Sequence, residues 1–191
     1  MDSSLYFRFY DLSIREQEII YTLLTKMFYV VEEKLSYDDM ESQLQNYISI
    51  TDYSTTFIEI IFPVKFDNNL FQIISIEHWN SIKNIIKEIK HRRGKRPVVS
   101  IFRFKSITNK RNFDILFYLT NNSIHSFDIA IEKVEYLVDI VPIQLNSLPS
   151  NTFEVIYFYD DSSFKWLPYQ AKNIENNFVN TYTFKNGLWE R

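Results

Sequence analysis

The sequence predicts an α+β fold: an antiparallel or mixed sheet with two main helices, at about 13–35 and 77–91, and a strand-rich C-terminal half. Three observations predict it. Residues 5–11 alternate with the period of two that a half-buried strand requires. Two long stretches repeat apolar residues at helical spacing. After residue 98, short runs of β-branched and aromatic residues succeed one another between Asn-, Pro- and Gly-containing turns.

Each element has its own warrant. In the first strand Leu5, Phe7 and Phe9 share one face and Tyr6, Arg8 and Tyr10 the other. Ser13-Ile14-Arg15-Glu16 reads as a capping box, with hydroxyl and carboxylate each satisfying a free backbone donor. Ile20, Leu23, Leu24, Met27, Val31 and Leu35 then form a stripe that extends the helix to 35. A short second helix is expected near 38–47. Thr55–Val64 and Leu70–Ile76 predict strands joined by the turn formers Asp67-Asn68-Asn69. The first of these is apolar on both faces and is therefore expected to be covered on both sides. Trp79, Ile82, Ile85, Ile86 and Ile89 mark the second main helix, with Gly94 and Pro97 as stop signals.

Val98–Lys105, Asn112–Thr120 and Ile124–Ile131 predict an antiparallel meander, and residues 132–141 fit helix and strand periods equally. Thr152–Tyr159 reads as a strand. Asn186-Gly187 is a type I′ hairpin signal between 182–184 and 188–189. The order over 1–106 is strand, helix, strand, strand, helix, strand, which is that of the split βαβ, ferredoxin-like arrangement. A single domain over 1–191 is expected, with an α/β subregion 1–106 and a strand-rich subregion 107–191. Sheet pairing across that boundary would make it one cooperative unit.

Composition removes several functional classes. Ile, Phe, Asn, Tyr and Lys supply 84 of 191 residues while Gly and Ala occur twice each, the bias that A/T-rich codons produce, so aromatic abundance alone is no sign of base stacking. The absence of cysteine excludes disulfides, a thiol nucleophile and Cys-ligated metals. Gly94 and Gly187 are too far apart for a phosphate-cradling loop. His78, His91 and His125 lack the spacing of a helical metal pair, and no nucleophile elbow is present. Asp160-Asp161, followed by two serines, reads as a turn. The acid-x-Lys pairs at Glu32-Glu33-Lys34 and Glu88-Ile89-Lys90 fall on predicted helices, where positions i and i+2 diverge. No catalytic, cofactor-binding or metal-ligating set emerges, and no cofactor is expected. With no secretory signal and no membrane-length apolar run, the expectation is a cytoplasmic protein without membrane association.

One electrostatic feature stands out. Residues 81–111 contain Lys83, Lys87, Lys90, Arg92, Arg93, Lys95, Arg96, Arg103, Lys105, Lys110 and Arg111 against the single acid Glu88, a balance of +10 within a chain of net charge −3. Helical spacing puts Lys83, Lys87 and Lys90 on the outer face of their helix. Cations at a helix C-terminus complement its dipole, but that does not account for so few acids over this length. The sequence thus points to a non-catalytic binding protein that uses these eleven cations for nucleic acid or another polyanion. The strands lack the basic-Gly-aromatic signature of RNA-recognition modules. The alternative is a protein–protein assembly module, held by apolar sheet surface and by basic-to-acidic docking with its own acids or with an acidic protein. Exposure separates the two: cations paired with acids from elsewhere in the chain favour the second.

Overall fold

The chain runs β1 (Leu5–Tyr10), α1 (Ile14–Leu24), β2 (Val30–Lys34), α2 (Tyr37–Leu44), β3 (Thr56–Phe62), α3 (Leu70–Ile73), α4 (Ile76–Arg93), β4 (Val98–Thr108), β5 (Arg111–Leu119), α5 (Ile124–Lys133), α6 (Val141–Gln144), β6 (Thr152–Asp160), β7 (Lys165–Glu175), β8 (Phe178–Lys185) and β9 (Leu188–Glu190). The computed structural model describes residues 4–45, 54–108, 111–120, 123–175 and 178–191. The strands form one mixed sheet in the order β2-β1-β3-β4-β5-β6-β7-β8-β9. Pairing of β4 with β5 joins the two subregions.

The local signals at 13–16 and 186–187 hold. Ser13 and Glu16 make the reciprocal capping box, and Asn186 and Gly187 take φ of 51° and 83° in the β8–β9 turn. The fold is nevertheless richer in strands than a sheet with two main helices. The first helix ends at Leu24, and residues 30–34 instead form β2, parallel to β1. Val30 and Val31 favour a pleated surface, and the edge of β1 offers them backbone partners. Residues 70–76 are not a strand. Leu70–Ile73 makes one helical turn, after which the Ser75 hydroxyl accepts from the His78 amide and starts α4. Residues 124–131 are helical too. Ser123 caps α5, and Phe127, Ala130, Ile131 and Val134 recur at helical spacing on its buried side. Residues 134–138 continue as a 3₁₀ turn, which resolves the ambiguous stretch toward helix. The β7 strand has no counterpart in the sequence reading; it contains Pro168, and a register shift at that point lets the sheet accommodate it.

One face of the sheet is covered by α1, α4, α5 and the 134–147 connection. The main core, including Phe7, Ile60, Phe62, Trp79, Phe102, Phe104, Phe117 and Tyr157, lies between them. The other face carries a smaller cluster in which Met40 and Leu44 of α2 pack on Phe57, Val99 and Ile101. Among the described residues α2 is the only helix on this second face. The doubly apolar β3 is therefore covered on both sides, as its sequence requires.

The ferredoxin-like arrangement is not confirmed. β1 and β2 are adjacent and parallel, as are β3 and β4 and again β5 and β6, so no strand splits any of the three βαβ units. Strand directions also fix their relative hand. β1 and β5 point the same way, yet β2 lies on one side of β1 and β6 on the other side of β5. With α1, α4 and α5 on one face, the third crossover has the opposite hand to the first two. At least one of the three thus runs against the strong right-handed preference of such connections.

Candidate functional site

The eleven cations do not gather on one exposed face. Lys83, read as outward-facing, is 2% exposed, and its Nζ donates to Glu132 Oε2 and Glu135 Oε2, both at 2.6 Å. Lys87 also donates to Glu132. Lys90, likewise read as outward-facing, is buried, with Nζ 3.4 Å from the Arg96 carbonyl. The reason is tertiary. α4 is flanked by α1 and α5, so the side of the helix bearing these lysines meets another element rather than water. Arg92 pairs with Glu88. Arg93 donates to both Glu16 oxygens at 3.0 and 2.9 Å, to the Thr56 hydroxyl and to the Asp11 carbonyl. Arg96 donates to Asp11 and to the Ser54 carbonyl. Arg103 lies on the opposite face of the sheet, against Glu59 and Asp114. Lys95 and Lys105 are exposed. Lys110 and the side chain of Arg111 lie outside the described residues.

These contacts set the charges. Burial pushes the Lys83 ammonium down, but Glu132 and Glu135 outweigh it and hold its pKa above the ordinary value. Burial works against ionised Glu16 and Glu132 as well, yet Arg93 with Ser13, and Lys83 with Lys87, hold both carboxyls below the usual range. Lys90, without a carboxylate at hand, is pushed down by burial.

Between α4 and α5 a shallow groove of about 570 Å³ is lined by Asn84, Lys87, Glu88, His91, Arg92 and Asp128. His91 Nε2 sits 2.8 Å from Asp128 Oδ2 there. His78 faces the Ser75 hydroxyl, the arrangement of a helix start. Asp160 accepts from the backbone and hydroxyls of Ser162 and Ser163, which bring its carboxyl down to about 2, so this acid pair belongs to a turn. Glu32 and Lys34 fall on β2, not on a helix, and so share one side of a strand. Among the described residues, no group of three or more acids and histidines is placed to hold a metal ion. No helix among them is long and apolar enough to cross a membrane.

A different convergence lies on the second face of the sheet. The pleat aligns Arg8 with Glu59 across β1 and β3, and Asp114, Glu154 and Lys172 across β5, β6 and β7. Arg103, on β4 between them, approaches Glu59 Oε1 at 3.1 Å and Asp114 Oδ2 at 3.5 Å. Arg8 reaches Glu59 Oε2 at 3.5 Å and Glu33 at 2.7 Å, and Lys172 pairs with Glu154 at 3.0 Å. Glu59 is 1% exposed, yet neither of its oxygens accepts a hydrogen bond; its arginines attract it by charge without the geometry of a bond. Arg103 Nε is also buried and donates to nothing. A cleft of about 250 Å³ opens here, lined by Arg8, Ser42, Gln43, Glu59, Ile101, Arg103, Tyr118 and Glu154, with α2 along one side.

Burial dominates the electrostatics of the cleft. It raises the carboxyls of Asp114 and Glu154 above their ordinary values, and Arg103 offsets this only in part. Burial would lower the Arg103 guanidinium, but Glu59, Asp114 and Glu154 together raise it. Tyr118 is raised by burial. A neutral phenol therefore stands among crowded, poorly solvated charges.

An aromatic run leads away from the cleft. Tyr118 stacks on Phe158 at 5.2 Å between centroids, and Phe158 meets Tyr169 edge to face at 4.9 Å. Tyr169, Leu167, Ile174, Val179 and Leu188 are all about half or more exposed. Strand register puts Leu167, Ile174, Val179 and Leu188 on the same face as Phe158. Of the cleft residues, the sequence reading singled out only Arg103. The signal for the others was a charge set into an apolar strand: Glu59 within Phe57-Ile58-Glu59-Ile60-Ile61, and Asp114 between Phe113 and Ile115. Comparison with known proteins finds no matching family model, no similar curated protein and no similar solved structure.

Proposed function

We propose that this chain is a non-catalytic protein–protein interaction module whose contact surface is the helix-poor face of β6–β9. The observation carrying this reading is the apolar patch of Leu167, Tyr169, Ile174, Val179 and Leu188 around the Tyr118–Phe158–Tyr169 run. An apolar and aromatic centre with a mixed charged rim is the anatomy of a protein interface. Exposed Lys165, Lys185 and Glu190 supply such a rim here. Acids on this face disfavour phosphate, and most cations of the 83–103 stretch already have acidic partners within the chain. The test compares the unmodified chain with a Leu167→Ser/Tyr169→Ser/Val179→Ser variant, both immobilised, in capture from the native cell extract. One protein retained at stoichiometric amounts by the first and lost by the second is expected. Equal retention by both overturns the reading.

A second reading rests on exposed Lys95 and Lys105 and on the groove holding Lys87, His91 and Arg92. In it these cations bind nucleic acid phosphates. Binding at low salt to short duplex or single-stranded probes, falling by roughly 0.9 log units per log unit of salt for each phosphate contacted on duplex, would support it. No binding at about 100 μM protein ends it.

A further inference from the structure

We infer that the cleft beneath α2 is a binding site for a small zwitterion of the free α-amino acid class. Glu59 carries the argument. It is 1% exposed, it borders the cleft, and both its oxygens lack hydrogen-bond donors. A carboxylate so placed has only loose ion pairs, to Arg103 at 3.1 Å and Arg8 at 3.5 Å, to offset its desolvation, not well-formed hydrogen bonds. A few ångströms away, Arg103 Nε is a buried donor without an acceptor.

The missing partners have opposite character. Glu59 calls for a donor and Arg103 for an acceptor. A simple cation would satisfy Glu59 but stand against Arg8 and Arg103. A simple anion would satisfy Arg103 but stand against Glu59 and Glu154. A molecule with an ammonium and a carboxylate on one carbon meets both demands and leaves the charge balance of the cleft unchanged. The lining offers a third element: Ile101 and the Tyr118 ring, both buried, border the charges, while Ser42 and Gln43 of α2 lie along the mouth. A volume of about 250 Å³ sits just below the usual range of small-molecule pockets and suits a ligand of this size. This inference does not rest on the protein partner proposed above, since every lining residue named belongs to this chain.

The experiment is titration of the isolated chain with L-valine, followed by calorimetry and by amide chemical shifts. Isobutylamine and 3-methylbutanoate serve as the one-charge analogues. Saturable L-valine binding with a Kd of about 1 mM or tighter is expected. Shifts should centre on residues 42–43, 59, 101–103 and 118. Each analogue should bind at least about tenfold more weakly, because each lacks one charge-assisted hydrogen bond. Glu59→Gln should weaken L-valine by about tenfold or more. Ser42→Trp, at an exposed position that leaves the core intact, should block the mouth and abolish binding. The absence of saturable binding, which means ordered water alone fills the cleft, overturns the inference. So does equal binding of either analogue, or undiminished binding to Ser42→Trp.

Discussion

On the helix face of the sheet, Arg93 and Lys83 reach Glu16, Glu132 and Glu135 through hydrogen bonds of 2.6–3.0 Å. On the opposite face Arg103 stands 3.1 and 3.5 Å from Glu59 and Asp114, and Glu59 accepts no hydrogen bond at all. The charges are alike in kind and differ in satisfaction. A well-bonded, partly buried ion network fixes how helices dock; a crowded, incompletely bonded one adds less to that. The contrast fits a docking role for Lys83 and Arg93 and the binding role proposed for the face beneath α2.

The largest expected effect comes from Arg93→Ala. Glu16 is 1% exposed, so the change takes the bidentate guanidinium from a buried carboxylate and leaves it only Ser13 and a distant Arg92, and unfolding free energy should fall by about 3–5 kcal/mol in urea titration. A loss below about 1 kcal/mol would mean that the helix-face network is as loose as the cleft. Next is Lys83→Met, which keeps most of the buried volume. Glu132 keeps Lys87 and Glu135 keeps the Trp79 indole, and both side chains, 45% and 17% exposed, can rehydrate, so a smaller cost of about 1–3 kcal/mol is expected from thermal unfolding.

The two faces should also titrate with opposite sign. Glu16 has a lowered folded pKa, so its contribution is full above 4.5 and is lost as pH falls through the folded value. Asp114 and Glu154 have raised folded pKa values, so they favour the folded state most below their unfolded values, and that benefit is lost as pH rises. Stability measured between about pH 3 and 7 should therefore show the advantage of the unmodified chain over Arg93→Ala shrinking toward acid. The balance between it and Asp114→Asn should move toward the variant as pH rises. A shared direction for both pairs would erase the contrast. The smallest effect is expected for Glu59→Gln. It is nearly isosteric and relieves carboxylate crowding at the expense of two loose ion pairs, so its stability should stay within about 1 kcal/mol of the parent. A cost matching that of Arg93→Ala would show that Glu59 is an architectural group.

The legible parts of the fold were those with local causes. Ser13 and Glu16 sit three residues apart and cap one another whatever surrounds them. Asn186-Gly187 turns the chain through its own backbone preference. The stripe from Trp79 to Ile89 is long enough for one period to dominate. Misreadings came where two periods overlapped. Val31 and Leu35 extend the stripe of α1 in sequence, but the chain leaves the helix at Leu24 and β1 takes residues 30–34 as a parallel neighbour. Residues 124–131 carry β-formers, yet Ser123 caps them as a helix that packs against α4.

The candidate site followed the same division. A +10 segment is visible in the sequence; its neutralisation is not, because Glu16, Glu132, Glu135 and Asp11 come from distant positions. Sequence by itself determined the α+β class, the Ser13 capping box, the last hairpin and the lack of cysteine, since each depends on composition or on residues within a few positions. Only the tertiary structure decided strand order, the relative hand of the crossovers, which lysines are buried, and the meeting of Glu59, Arg103, Asp114 and Glu154. Those outcomes depend on which face of the sheet each helix covers, and that is set by the packing of the whole core, not by any local period.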